Sequence, residues 1–134
     1  MTTPAQAVPI FNKNFEGFLN FLRDQEVGAA VLSPRRFSEV FSMDLQTLAA
    51  QAHVHRNTIS RAPGSESVQR FLREALRVIR AAADLSGDVE RALFWYRNEP
   101  LQPFGYKTAE QLVSDGRTED LLGYIKSLEA GAAG

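Results

Sequence analysis

Apolar residues recur along this chain at spacings of three and four, the period that gathers side chains on one face of an α-helix. The first stripe is Phe11, Phe15, Phe18, Leu19 and Leu22, with Asn12, Lys13, Glu16, Asn20, Arg23 and Asp24 mostly opposite, and Gly28 to Leu32 interrupts it. Ser33-Pro34 then signals a helix start, since serine caps free amides and proline is tolerated at the first helical position. Phe37, Val40 and Phe41 form that helix's apolar face. From Asp44 a further helix carries Leu45, Leu48, Ala49 and Ala52 inward; after a turn at His53-Val54-His55, Ile59 anchors the next. A long helix is expected from Ser65 to Ser86, with Val68, Phe71, Leu72, Ala75, Leu76, Ile79, Ala82 and Ala83 inside and Arg70, Arg73, Arg77 and Arg80 largely elsewhere.

The last third has its own punctuation. Asp88 is placed to cap a helix bearing Ala92, Leu93, Trp95 and Tyr96, which Pro100 and Pro103 stop because proline cannot donate the helical hydrogen bond. After a Phe104-Gly105-Tyr106 turn, Thr108 and Gln111 have capping-box spacing before Leu112 and Val113. Beyond Asp115-Gly116, the positions Leu121, Leu122, Ile125 and Leu128 predict a final helix that Gly131 should close. Nowhere does a strand-like alternation run long enough to matter, and neither a repeat nor a low-complexity run is present. The chain is read as all-α.

Composition narrows this picture. With 134 residues, 44% of them hydrophobic, the chain can bury a core without staples, as one domain or two small helical subdomains. The absence of cysteine removes disulfides, thiol nucleophiles and cysteine-based zinc sites. No run approaches a membrane span, and Met1 to Pro9 reads as a frayed end without the basic start and apolar core of a signal peptide, so a cytoplasmic protein is expected. Counting Phe21, the first helix carries four phenylalanines between Phe11 and Phe21, a load that must pack within the chain or on a second copy.

Charge is unevenly spread behind a net value of −1. Residues 51–80 hold six arginines against two glutamates, whereas residues 88–134 hold eight acids against five bases. A basic middle fits a polyanionic partner, although a solvated arginine face explains the same pattern. The segment Asp44 to Arg61 matches a helix-turn-helix: a capped first helix, small Ala49 for close crossing, and Val54 and Ile59 seating the second helix on it. At the start of that second helix Arg56, Asn57, Thr58, Ser60 and Arg61 concentrate groups suited to base edges and phosphates, while Gln46 and Thr47 are placed to hold the phosphate backbone. His53 stands where a glycine usually makes the turn, and Pro63 stops the second helix early, so a trihelical scaffold that has lost operator binding is the competing reading.

Other chemistry finds little support. His53 and His55 are the only histidines, and without cysteines or a neighbouring acid triad they do not complete a metal site. There is no Gly-rich phosphate loop, nucleophile elbow or zinc motif, and Glu99, Glu119 and Asp120 read as exposed charges, so neither catalysis nor a cofactor is expected.

Trp95, Pro100, Gly105, Thr108, Leu112, Gly116, Ile125, Leu128 and Gly131 together give the stretch from Asp88 to Gly131 its character. In their order it resembles the C-terminal toxin-binding domain of the Xre/MbcA/ParS-type antitoxins, partners of RES-domain toxins. Two positions depart from that pattern: the Phe-Gly-Tyr turn replaces a Leu-Gly-Gly type turn, and Ala109 follows Thr108 where proline is common. The resemblance implies an N-terminal tail and helix over 1–32, an Xre-like helix-turn-helix core over 33–86 and a small helical toxin-binding domain over 87–134. It further implies an antitoxin that inhibits an NAD-degrading or ADP-ribosylating RES-domain toxin by blocking its active site, forms a homodimer or larger complex with it, and represses its own operon by binding operator DNA. Toxin contact then falls to Phe104, Gly105, Tyr106, Leu121, Tyr124, Ile125, Leu128, Glu129 and Gly131, with the last helix at the NAD cleft. Trp95 is assigned to the domain's core, and a stand-alone helix-turn-helix repressor is the alternative.

Overall fold

Asn14 accepts a hydrogen bond from the Gly17 amide and so begins the first helix, α1, Phe15–Leu22, in the computed structural model, which describes residues 14–24 and 28–133. Phe11 and the Met1–Pro9 segment lie outside the described residues. Eight α-helices account for most of these residues, and the fold is all-α, as the periodicity predicts. The chain divides into two compact units, Met1–Leu72 and Arg73–Gly134; the division falls inside one continuous helix, and the resemblance implies a boundary after residue 86.

In the first unit, α1 leads into a short antiparallel pair, β1 (Arg23–Asp24) and β2 (Gly28–Leu32), with Arg23 opposite Leu32 and Asp24 opposite Gly28 across an irregular register. The helix is interrupted before Gly28 to Leu32, as the sequence pattern has it, and that segment forms a strand, which the pattern does not mark. A five-residue strand is too short to register as alternation. Its end is also fixed from afar, because the buried Gln69 side chain accepts from the Leu32 amide and donates to the Leu32 carbonyl, both at 2.9 Å. Phe18 and Leu22 are almost wholly buried, Phe15 and Phe21 are half-buried, and Arg36 donates to the Phe21 carbonyl at 2.8 Å, so part of the aromatic load of α1 is met within one copy of the chain. Each such buried side chain contributes roughly 1.5–3 kcal/mol.

Ser33 caps α2 (Pro34–Val40) by accepting from the Arg36 amide. Phe37 packs edge-on against Phe41 at 5.2 Å and Phe71 at 6.4 Å between ring centres. Helices α3 (Leu45–Ala52) and α4 (Arg56–Arg61) come next, with Leu48, Ala49 and Ile59 buried and Leu45, Ala52 and Val54 half-buried. Helix α5 (Glu66–Ser86) then buries all eight residues assigned to its inner stripe, together with Val78 and Gln69.

The second unit continues from α5 through α6 (Val89–Asn98), α7 (Ala109–Ser114) and α8 (Thr118–Ala133). Asp88 caps α6, accepting from the amides of Glu90 and Arg91. Pro103 sits in a 3₁₀ turn, Gln102–Phe104, and Gly105 and Tyr106 both adopt positive φ (67° and 68°). These two residues fold the chain back, so that the Lys107 carbonyl accepts from the Leu101 amide at 2.9 Å. Thr108 and Gln111 form the reciprocal capping box. Gly131 does not close α8. It lies within a helix that runs to Ala133, since neighbouring alanines favour helix and outweigh a single glycine. Among the described residues no helix is long and apolar enough to cross a membrane.

Candidate functional site

The helix-turn-helix is built from local hydrogen bonds. Asp44 accepts the Thr47 amide at 2.8 Å, which starts α3. That bond, then the Thr47 hydroxyl, then the charge of Arg56 hold the Asp44 carboxyl below its usual range. His53 takes the left-handed conformation (φ 58°, ψ 40°) expected of the turn residue, and the Val54 amide returns to the Ala49 carbonyl at 3.0 Å. His55 then caps α4 by its side chain, Nδ1 accepting from the Asn57 amide at 3.1 Å. Histidine can do this only with Nδ1 unprotonated, so the cap selects the tautomer. Sequence reasoning assigned His55 to the turn and missed that role.

Burial separates the faces of α4. Ile59 points inward at 3% exposure, whereas Arg56, Asn57, Ser60 and Arg61 are exposed and Thr58 is half-buried. Gln46 and Thr47 are exposed at the start of α3. All seven residues proposed for DNA therefore lie within one compact unit, six of them on its surface. Helix α4 ends at Arg61, six residues long, with Pro63 two residues on. A hollow of about 120 Å³ opens beside it, lined by Ser33, Arg35, Leu45 and Ser60 among others. Arg35 brings a further exposed cation to that side; the sequence marks it only as part of a helix start.

The arginines of α5 are in part answered within the chain. Arg70 pairs with Glu66 at 3.6 Å, and Arg77 meets Glu74 at 3.3 Å and Glu119 at 2.7 Å. The Glu119 hydrogen bond leads in raising the Arg77 ionisation further. These pairs reduce the positive field of the basic middle, while Arg56 and Arg61 stand exposed on α4.

In the second unit the residues assigned to toxin contact fall into three groups. Phe104, half-buried, meets Tyr124 edge-on at 5.6 Å between ring centres, with the Arg117 guanidinium 5.1 Å from the Phe104 ring centre. Gly105 and Tyr106 are exposed beside them, Tyr106 at 66%. Leu128, Glu129 and Gly131 are exposed on the last turns of α8. Leu121 and Ile125, by contrast, are 0% and 4% exposed; as one inward face of α8 they serve packing, which corrects their assignment to direct contact. Trp95 is half-buried rather than enclosed, while its neighbour Tyr96 is enclosed, burial first and the Glu110 carboxylate second pushing the ionisation of its hydroxyl up.

Two surface features left no mark in the sequence pattern. Phe94 is 69% exposed, and with Leu85, Tyr106 and Leu128 it completes a set of large apolar side chains standing out from the second unit. Trp95 also lines a groove of about 210 Å³ with Ala82, Leu85, Arg91, Ala92 and Leu128. Among the described residues no group of three or more histidines and acids is placed to hold a metal ion. Comparison with family models, with curated proteins and with solved structures returned no match.

Proposed function

We propose that this chain is the antitoxin of a type II toxin-antitoxin pair, that its second unit inhibits a RES-domain, NAD-consuming toxin, and that its helix-turn-helix represses the operon. The observation that carries the reading is the end of α8. Ile125 is its last buried side chain among the described residues, and every residue from Lys126 to Gly131 is exposed although the helix continues to Ala133. Apart from Leu128, which borders the chain's own Trp95, this short helical segment shows no buried contact, so it is suited to a partner's cleft. Leu128 offers it an apolar contact. Glu129 offers a carboxylate that would pair with an arginine otherwise holding the NAD pyrophosphate.

The four large apolar side chains exposed among the described residues, Leu85, Phe94, Tyr106 and Leu128, all belong to the second unit, which supports a protein partner there. The polar exposed face of α4 supports nucleic acid as the partner of the first. The test is co-expression with the product of the neighbouring gene, followed by copurification and an assay of cellular NAD, with the full chain and with a chain ending at Ser127. A stable complex, with NAD falling only when this chain is absent or shortened, is the expected result. Full inhibition by both the shortened chain and Glu129→Ala would refute obstruction by α8. Absence of any complex, with NAD unchanged, would refute the antitoxin reading and leave the stand-alone repressor.

A further inference from the structure

The 210 Å³ groove has a simple construction. Ala82 and Ala92 give its floor little bulk, Trp95 and Ile125 line it, and Leu85 and Leu128, 37% and 38% exposed, remain open beside it. Arg91 also lines it and is exposed, with no ion pair to any described residue. Such a site presents apolar surface and one uncompensated cation.

Size and charge select the occupant. Pockets that enclose small ligands or cofactors usually measure roughly 300–1,000 Å³, so this groove is small for a molecule and suited to one or two side chains of a protein. Tryptophan and arginine are among the residue types that most often anchor protein interfaces. The free guanidinium calls for a carboxylate beside the apolar anchor. Leu128 also belongs to the exposed end of α8, which makes the groove continuous with the surface proposed to meet the toxin.

We infer that the groove formed by α5, α6 and α8 is a seat for the toxin, which inserts an apolar side chain against Trp95 and sets a neighbouring carboxylate on Arg91. This rests on the antitoxin reading and adds an anchor directly beside the obstructing end of α8, with Leu128 shared between the two, that holds the complex while Glu129 and the residues after it obstruct. In such a seat the apolar anchor gives affinity and the charge pair fixes register.

Trp95 is the only tryptophan, so this chain labelled with 5-fluorotryptophan gives a single ¹⁹F resonance from the groove itself. The copurified toxin is titrated into the labelled chain and into unlabelled Arg91→Gln, Arg91→Glu and Ser86→Tyr variants, each checked for native circular dichroism. The resonance is expected to move on binding. Arg91→Glu should weaken the complex about tenfold at low salt, Arg91→Gln less, and the gap between them should shrink in high salt. Ser86 also lines the groove at an exposed helix end, so Ser86→Tyr should fill the groove and weaken binding without touching the core. If the toxin binds while the resonance stays still, or if Arg91→Glu binds as the unaltered chain does, the groove is not its seat, although the antitoxin reading stands. If the unaltered chain captures no toxin, the antitoxin reading itself falls and takes this occupant with it.

Discussion

Replacing Gln69 with leucine should destabilise the first unit more than any surface change. The Gln69 side chain is 5% exposed and makes three hydrogen bonds: it accepts the Leu32 amide at 2.9 Å and donates to the carbonyls of Leu32 at 2.9 Å and Pro63 at 2.8 Å. Leucine keeps the volume and strands all three partners. The two Leu32 groups are buried, and each left unsatisfied costs about 1–3 kcal/mol; the half-buried Pro63 carbonyl can recruit water and costs less. Greater apolar burial offsets roughly 1.5–3 kcal/mol, which leaves a net loss of about 2 kcal/mol. Urea unfolding followed by circular dichroism measures the whole, and hydrogen exchange at the Leu32 amide measures the part, where about thirtyfold faster exchange is expected. Gln69→Glu supplies a sharper control. A carboxylate there would face two carbonyl oxygens, so burial and repulsion raise its folded pKa above the unfolded value. Its stability should therefore be highest in acid and fall as pH rises, opposite in sign to a paired surface acid. An unchanged urea midpoint and unchanged exchange in Gln69→Leu would refute the reasoning.

His53→Gly should stabilise the protein by about 0.5 kcal/mol, because release from a left-handed backbone slightly exceeds the extra freedom glycine gains when unfolded; urea titration showing a loss would mean that the contacts of the imidazole outweigh the strain. The folded Tyr96 hydroxyl has a raised pKa, so the stability it contributes is fully present below the unfolded tyrosine value, near ~10, and is lost as pH rises beyond it. Melting temperature should accordingly fall more steeply above that pH in the unaltered chain than in Tyr96→Phe, and parallel curves would contradict the assignment. Arg56→Ala and Arg61→Ala should each reduce the salt dependence of binding to the DNA upstream of the gene by about one unit of log–log slope, measured by fluorescence anisotropy; if neither slope changes, α4 does not meet phosphate.

Where a cause lies within a few residues, the amino-acid sequence alone determined the outcome. Ser33, Asp44, Asp88 and Thr108 cap the helices they precede because the hydrogen bonds that make them caps span two or three positions. The eight inner residues of α5 are buried because a 3.6-residue period admits one such face. The same locality set the polar content of α4 and the inward turn of Ile59.

Long-range contact decided the rest. β2 depends on Gln69, 37 residues from Leu32, and no local pattern marks that glutamine as interior. Leu121, Ile125 and Leu128 carry the same apolar signal in the sequence, yet packing encloses the first two and leaves the third open. Whether a glycine ends a helix depends on the residues beyond it, and α8 passes through Gly131. The groove beside Trp95 was equally illegible, because its lining comes from three helices and exists only once they have packed. Periodicity says which faces seek burial, but the geometry of packing decides which of them find it.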